Sequence, residues 1–241
     1  MNQDTFQPIK FNQKSHAEKL LDLPKLGKDD TFNFGCKQCG QCCRNREDIL
    51  LNPLDLFKIA RHLNKSIKDI MDEYCEFYEG SVSRIPIVRI KPREYRQTCP
   101  FSDKGRCIIH AQKPAVCALF PLSRISNVQE NNFYYVVQPA TCGNMNQTQT
   151  VRQWLDEFTI LDEEDITILW HQKSMELSNI LRELYSTHNF NTEDITIILF
   201  LTLYFKYDLE QDFRPQFSAN CEEALEIAGK LSSVKEDGSY G

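Results

Sequence analysis

The chain has no apolar run approaching the roughly 18 residues that a membrane-spanning helix needs. Its longest greasy stretch, Ile195 to Phe205, is short and broken by threonine. Its first residues, Met1-Asn-Gln-Asp-Thr-Phe-Gln-Pro-Ile-Lys, have no basic start, apolar segment or small-residue cleavage site of the kind an export signal carries. A cytoplasmic location, no membrane association and reduced thiols are therefore expected. No glycine-rich loop follows a clear strand, which argues against a familiar nucleotide-cofactor fold. No His–carboxylate constellation suggests hydrolysis. Repeated zinc-finger spacing with a recognition helix is also missing, and the net charge is -6, so nucleic acid is not an expected partner. Glycine and proline are not gathered into any long linker.

Cysteine is plentiful. Ten cysteines occur in 241 residues, and nine of them precede residue 143. Without an export route, disulfides are the lesser reading, and a cluster of reduced thiols points to metal or redox chemistry. Charge divides the chain at nearly the same place. From Arg84 to Arg124 nine basic residues face two acidic ones, whereas from Thr150 onward eighteen acidic residues face seven basic ones. The polar run Asn144-Met-Asn-Gln-Thr-Gln-Thr150 marks the change. The expected organisation is an N-terminal arm over residues 1–32, a cysteine-cluster metal-binding domain over 33–147 and an acidic helical region over 148–241. The expected fold class is mostly α with a small β component, in which an irregular cysteine-rich domain precedes the helices.

Local signals place the elements. Asn52 caps a helix over Pro53–Leu63, with proline at its first position and Leu56, Ile59, Ala60 and Leu63 at helical spacing. Ser66 and Asp69 form a capping box for a helix over about 67–78, which would contain Cys75. Strands are expected at Val82–Ile90 and Phe133–Val137, pairing with each other beside the metal. In the acidic region, Ile166, Leu169, Lys173, Leu177, Leu181 and Leu184 share one face of a long helix. Asn191 caps a helix through Ile195–Tyr204, and a shorter one covers Glu222–Leu231.

The strongest motif is Cys36-Lys-Gln-Cys39-Gly-Gln-Cys42-Cys43. Two-residue spacing lets a tight turn aim both sulfurs at one metal, and Gly35 and Gly40 supply the backbone freedom for it. A second group follows: Cys99-Pro, Gly105-Arg-Cys107, Cys117 and Cys142-Gly143. Adjacent side chains diverge, so Cys42 and Cys43 do not readily face one small ion. Eight cysteines suffice for two four-thiolate centres, or for one centre with spare thiols. Cys75 and Cys221 are read as structural core thiols. His110, three residues after Cys107, has the spacing of a mixed zinc site but is read as a supporting or packing residue. His16, His62, His171 and His188 are read as ordinary. Lys37, Arg44, Arg93, Arg96, Arg106 and Lys113 are placed to offset thiolate charge, or else form a solvated surface toward the acidic helices.

The order of these motifs, with Ile49-Leu-Leu-Asn-Pro-Leu-Asp-Leu, Cys107-Ile-Ile-His and Lys113-Pro-Ala-Val-Cys117-Ala-Leu-Phe-Pro121, resembles the YkgJ-type cysteine-cluster family across roughly residues 33–143. That family is described as zinc- or iron-chelating and is related to flagellin lysine N-methylases. The resemblance implies metal ligation by Cys36, Cys39, Cys42, Cys43, Cys99, Cys107, Cys117 and Cys142. It implies a packing shell that includes Pro114, Phe120 and Pro121. His110 and Ala118 stand where tyrosine and arginine are frequent in the family. Three classes of function follow: a redox or metal-dependent accessory, a structural zinc module presenting a surface to a protein partner, and a protein lysine N-methyltransferase-like enzyme. The cofactor is an iron–sulfur cluster, with a 4Fe-4S cubane suited to the Cys36, Cys39, Cys42 run and completed by Cys99-Pro100, or zinc.

Overall fold

The computed structural model describes residues 16–44, 49–93, 97–127, 130–187 and 191–233. Most of the expected arm's first half, Arg96 and His188 lie outside these residues. Helix dominates and strands are short, as the composition suggests. Helix α1 (His16–Leu21) and strand β1 (Thr31–Asn33) lead to the cysteines. Strand β2 (Leu50–Leu51) then enters α2 (Pro53–Leu63) through the expected cap. The Asp55 N–H donates to Asn52 Oδ1 at 2.8 Å, and the Asn52 N–H donates to Asp55 Oδ2 at 3.1 Å. Ser66 and Asp69 repeat that reciprocal box at the start of α3 (Ile67–Tyr74).

Helix α3 stops earlier than the pattern suggests. Cys75 is not helical: it opens strand β3 (Cys75–Glu79), which pairs antiparallel with β4 (Pro86–Ile90), Cys75 facing Ile90 and Phe77 facing Val88. The β-branched run of β4 supplies a partner on each side, giving the order β2-β4-β3, and this pairing outweighs one more helical turn. The expected pairing of β4 with the Phe133 strand does not occur. A small hairpin, β5 (Ser102–Asp103) with β6 (Arg106–Cys107), and the one-turn helix α4 (Ala115–Leu119) come next. Strand β7 (Leu122–Asn127) then pairs with β8 (Asn132–Val137) over its full length, and closing a short loop costs less than reaching a distant strand. Strand β9 (Thr148–Thr150) returns to β1, with Phe32 opposite Gln149.

Thr150 caps α5 (Val151–Asp156), and the long helix α6 (Glu164–Thr187) buries Ile166, Leu177, Leu181 and Leu184 as its spacing indicates. Asn191 caps α7 (Thr192–Phe200), which runs into a wider turn at Leu201–Phe205. The last helix, α8 (Phe213–Ser233), begins nine residues before the expected start, so Cys221 lies mid-helix. Phe213 and Phe217 drive the extension, each buried and stacked on its neighbour at 5.2 Å.

Two hydrophobic clusters result. The larger joins Leu56, Ile59, Ile70 and Val88 to Leu181, Leu184, Leu199 and Phe217, drawing on residues from both sides of position 147. The smaller is aromatic, with Phe32, Phe34, Tyr135, Trp154 and Phe158 at its centre. Trp154 meets Phe34 edge-on at 5.5 Å, and its Nε1–H donates to Leu119 O at 3.1 Å. Ion pairs from Lys28 to Glu164 and from Lys58 to Glu163 join the acidic helices to the first half.

One carboxylate couples the frame to the cysteine segment. Asp55 is buried, and its Oδ1 accepts the Ala115 N–H at 2.8 Å, tying α2 to the start of α4 and so to Cys117. Burial pushes its carboxyl up to about 6, against the opposing pull of the Ala115 and Asn52 N–H groups and of Lys58.

Because the larger cluster is shared across residue 147, the described parts should unfold together. Calorimetry is expected to show one cooperative transition, and Leu181→Ala should lower stability by about 2–5 kcal/mol; two resolved transitions would contradict this. The raised Asp55 carboxyl gives a second expectation. Folded protein keeps that proton between about pH 4 and 6, where the unfolded chain loses it. Its contribution is full below about pH 4 and fades as pH climbs through 6, by up to about 3 kcal/mol. Asp55→Asn should flatten this part of the stability profile, and an unchanged slope in denaturant titrations would exclude the assignment.

Candidate metal centre

Each cysteine segment folds so that sulfur faces inward for a local reason. After Cys36 the chain turns through Gln38 (φ 50°) and Gly40 (φ 70°), and the Gln38 N–H donates to Cys36 Sγ at 3.4 Å. Gly40 sits against the β5–β6 turn so closely that a β-carbon there would lie 2.5 Å from the Gly105 carbonyl oxygen. A 3-10 turn over Gln41–Cys43 follows, and the Cys99 N–H donates to Cys43 O at 2.9 Å, stitching the first motif to the second. Cys99 and Cys107 flank the hairpin. Each sulfur accepts the N–H of the residue two further on, Phe101 for Cys99 and Ile109 for Cys107. Cys36, Cys99 and Cys107 therefore share one local arrangement, which at Cys99 and Cys107 favours the thiolate form.

Cys117 lies in α4, held from behind by Asp55 through Ala115. Cys142 is brought back to the first motif by backbone bonds from Asn144 N–H to Gly35 O and from Phe34 N–H to Gln147 O, both 2.8 Å. Gly143 (φ 91°) packs beneath the Phe34 ring, where a β-carbon would come within 2.3 Å.

The eight sequence-predicted cysteines, Cys36, Cys39, Cys42, Cys43, Cys99, Cys107, Cys117 and Cys142, all line one cleft. The cleft opens where the two hydrophobic clusters meet: Ile90 and Ile109 come from the larger, Phe34, Phe120 and Trp154 from the smaller. Cys36 and Cys39 are exposed at its rim, the other six are half-buried, and all are free thiols. Among the described residues no three His, Cys, Asp or Glu side chains stand close enough together to hold a metal ion as they are. Cys75 and Cys221 lie outside the cleft in the larger cluster, where burial pushes each thiol up to about 12.

The thiols act on one another. A hydrogen bond with Cys42, then burial, then repulsion from Cys42, Cys99 and Cys107 hold Cys43 far above the ordinary thiol range. Burial, with Cys107 and Cys42, pushes Cys99 up to about 11, opposed by the Phe101 N–H and by Arg93. Cys107 is raised by burial and by Cys42, opposed by the Ile109 N–H and Lys113. Burial and then Cys39, Cys42 and Cys36 push Cys142 up to about 11. Cys142 is thus acted on by Cys36, Cys39 and Cys42, and Cys43 by Cys42, Cys99 and Cys107. Thiols that inhibit one another's ionisation in this way suit a bound cation, which reverses the penalty.

Of the basic residues, Arg93 and Lys113 act on cysteine sulfurs, and Lys37 and Lys113 line the cleft. Arg93 also donates to Pro100 O at 2.7 Å, fixing the turn beside Cys99. Pro114 and Phe120 line the cleft, and the Phe120–Pro121 peptide is cis. Sequence reasoning passed over Asp55, Phe34 and Trp154. The reciprocal cap of α2 signals Asp55 as a helix-start residue, but no local signal reveals its reach to Ala115. His110 lines the cleft, its ring 5.7 Å from Phe158, and burial followed by Lys113 lowers its pKa. Its Nε2 is buried with no hydrogen-bond partner.

No helix among the described residues is long and apolar enough to cross a membrane. No curated protein and no solved structure matches the chain. Residues 35–143 match the family model described as "CxxCxxCC: Putative zinc- or iron-chelating domain". That span runs from the residue before Cys36 to the residue after Cys142 and takes in the whole set of thiols around the cleft. Over this cysteine-bearing segment, then, the chain is similar to the CxxCxxCC family.

Proposed function

We propose that the chain is a cysteine-ligated iron–sulfur protein of a reducing, cytoplasmic setting, a redox or metal-dependent accessory that uses the cleft as its metal site. The observation that carries this reading is the convergence of eight cysteines from four chain segments, three of them sharing the same N–H···S arrangement. Hydrogen bonds to sulfur and partial burial are the means by which proteins set the potential of such clusters, and a bound cluster would supply one-electron chemistry.

Cys36, Cys39 and Cys42 have the two-residue spacings that present three corners of a cubane. Cys142 supports the fourth corner better than Cys99 does, because its sulfur interacts with Cys36, Cys39 and Cys42 whereas Cys99 interacts with Cys107 and Cys42. Cys43, Cys99, Cys107 and Cys117 remain for a second centre or as spare thiols. The adjacent pair Cys42 and Cys43 would then serve different sites, in keeping with the divergence of neighbouring side chains.

The same knuckle at Cys36-x-x-Cys39, with a left-handed glycine and an N–H aimed at the first sulfur, suits zinc equally. On that reading a closed four-thiolate zinc organises a surface for a protein partner. Elemental analysis of anaerobically purified protein for iron, zinc and acid-labile sulfide distinguishes the two. Brown protein containing iron and sulfide is expected; colourless protein with stoichiometric zinc and no sulfide would establish the structural module instead, and protein with neither would end both readings. Neutralising the cleft cations, as Arg93→Gln with Lys113→Gln, should weaken metal retention by about tenfold, the size typical of residues that support ligands. Competition with a chelator measures it, and unaltered retention would return both residues to the solvated surface.

A further inference from the structure

We propose that His110 is a metal ligand, its Nε2 joining cysteine sulfurs of the cleft that its ring lines. The inference rests on the metal-binding reading above and deepens it, since it makes the centre a mixed nitrogen–sulfur site. The carrying observation is an unsatisfied group: among the described residues, His110 Nε2 is shielded from solvent and has no hydrogen-bond partner, although the ring lines the cleft with all eight cysteines. Buried polar atoms in folded proteins are almost always paired, and an orphaned one calls for a specific explanation. Phe158 occupies one side of the imidazole at 5.7 Å, and the Lys113 ammonium is engaged by the face of the same Phe158 ring at 4.4 Å. A metal ion would satisfy a nitrogen lone pair so placed.

Local structure supports the placement. His110 opens the 3-10 turn at His110–Gln112, directly after the segment in which the Ile109 N–H holds the Cys107 sulfur. Cys107 and His110 are thus presented by one short piece of chain whose ends are fixed, at β6 by pairing with Ser102 and beyond the turn by the Asp55 bond to Ala115. Charge gives a further reason: among half-buried cysteines a neutral donor completes coordination without adding another negative charge.

The test uses the full chain, loaded with Co²⁺ or Zn²⁺ alone or purified with its own iron, and reads the metal's neighbours by X-ray absorption. Wild-type protein is expected to show a nitrogen shell near 2.0–2.1 Å beside sulfur near 2.3 Å. His110→Ala should remove the nitrogen shell and weaken metal binding at least about tenfold, whereas His110→Cys should retain the metal with an all-sulfur shell. For an iron centre, pulsed EPR should show a nitrogen coupling in wild-type protein that His110→Ala abolishes. A purely structural histidine would leave the metal's shell unchanged. Wild-type protein that binds metal through sulfur alone would overturn the assignment and leave the metal-binding reading intact. Protein that takes up no metal in any form would overturn both.

Discussion

Repulsion among sulfurs crowded into one half-buried cleft is the constraint around which the molecule is arranged. Each thiol that would ionise raises the cost for its neighbours, and burial compounds that cost at Cys43, Cys99, Cys107 and Cys142. The chain nevertheless holds them together by ties that do not involve sulfur–sulfur bonding. Cys99 N–H to Cys43 O, Asn144 N–H to Gly35 O and Ala115 N–H to Asp55 draw the segments inward from behind. Two separate hydrophobic clusters supply the walls.

The acidic helices contribute as walls and as counter-charges. Their apolar faces complete the larger cluster, while Glu163 and Glu164 at the start of α6 pair with Lys58 and Lys28. The basic residues near the cleft are thus spared for sulfur: Arg93 offsets Cys99 and Lys113 offsets Cys107. Lys28 and Lys58 lie outside the basic stretch from Arg84 to Arg124, whose Arg84 and Arg89 pair with Glu79 and Glu76 instead.

What could be read from the sequence was local chemistry. Asn52, Ser66 and Asn191 cap the helices they were assigned, because a cap is decided by a side chain and a backbone N–H a few residues away. The cysteines that line the cleft are those that number and spacing single out, and Cys75 and Cys221 stand apart from that pattern. Strand partnership was not legible. Leu122–Asn127 has no strand signal of its own until Asn132–Val137 lies beside it, and residues 75–78 read as helix until Pro86–Ile90 offers a ladder. The reach of Asp55 to Ala115 and of Trp154 to Leu119 crosses too much sequence for any window to reveal.

The back-to-back approach of Gly40 and Gly105 has a consequence for redesign. With a β-carbon at position 40 only 2.5 Å from the Gly105 carbonyl, the two turns meet like a keyed joint whose clearance is set by missing atoms. Lengthening either turn, or placing a side chain at position 40, shifts the Cys39 knuckle relative to the Cys107 hairpin even though neither cysteine is touched. A library that diversifies the surroundings of these sulfurs should therefore hold both glycines and both turn lengths constant. The loop between β3 and β4, which carries the exposed Val82, contributes no residue to the cleft lining.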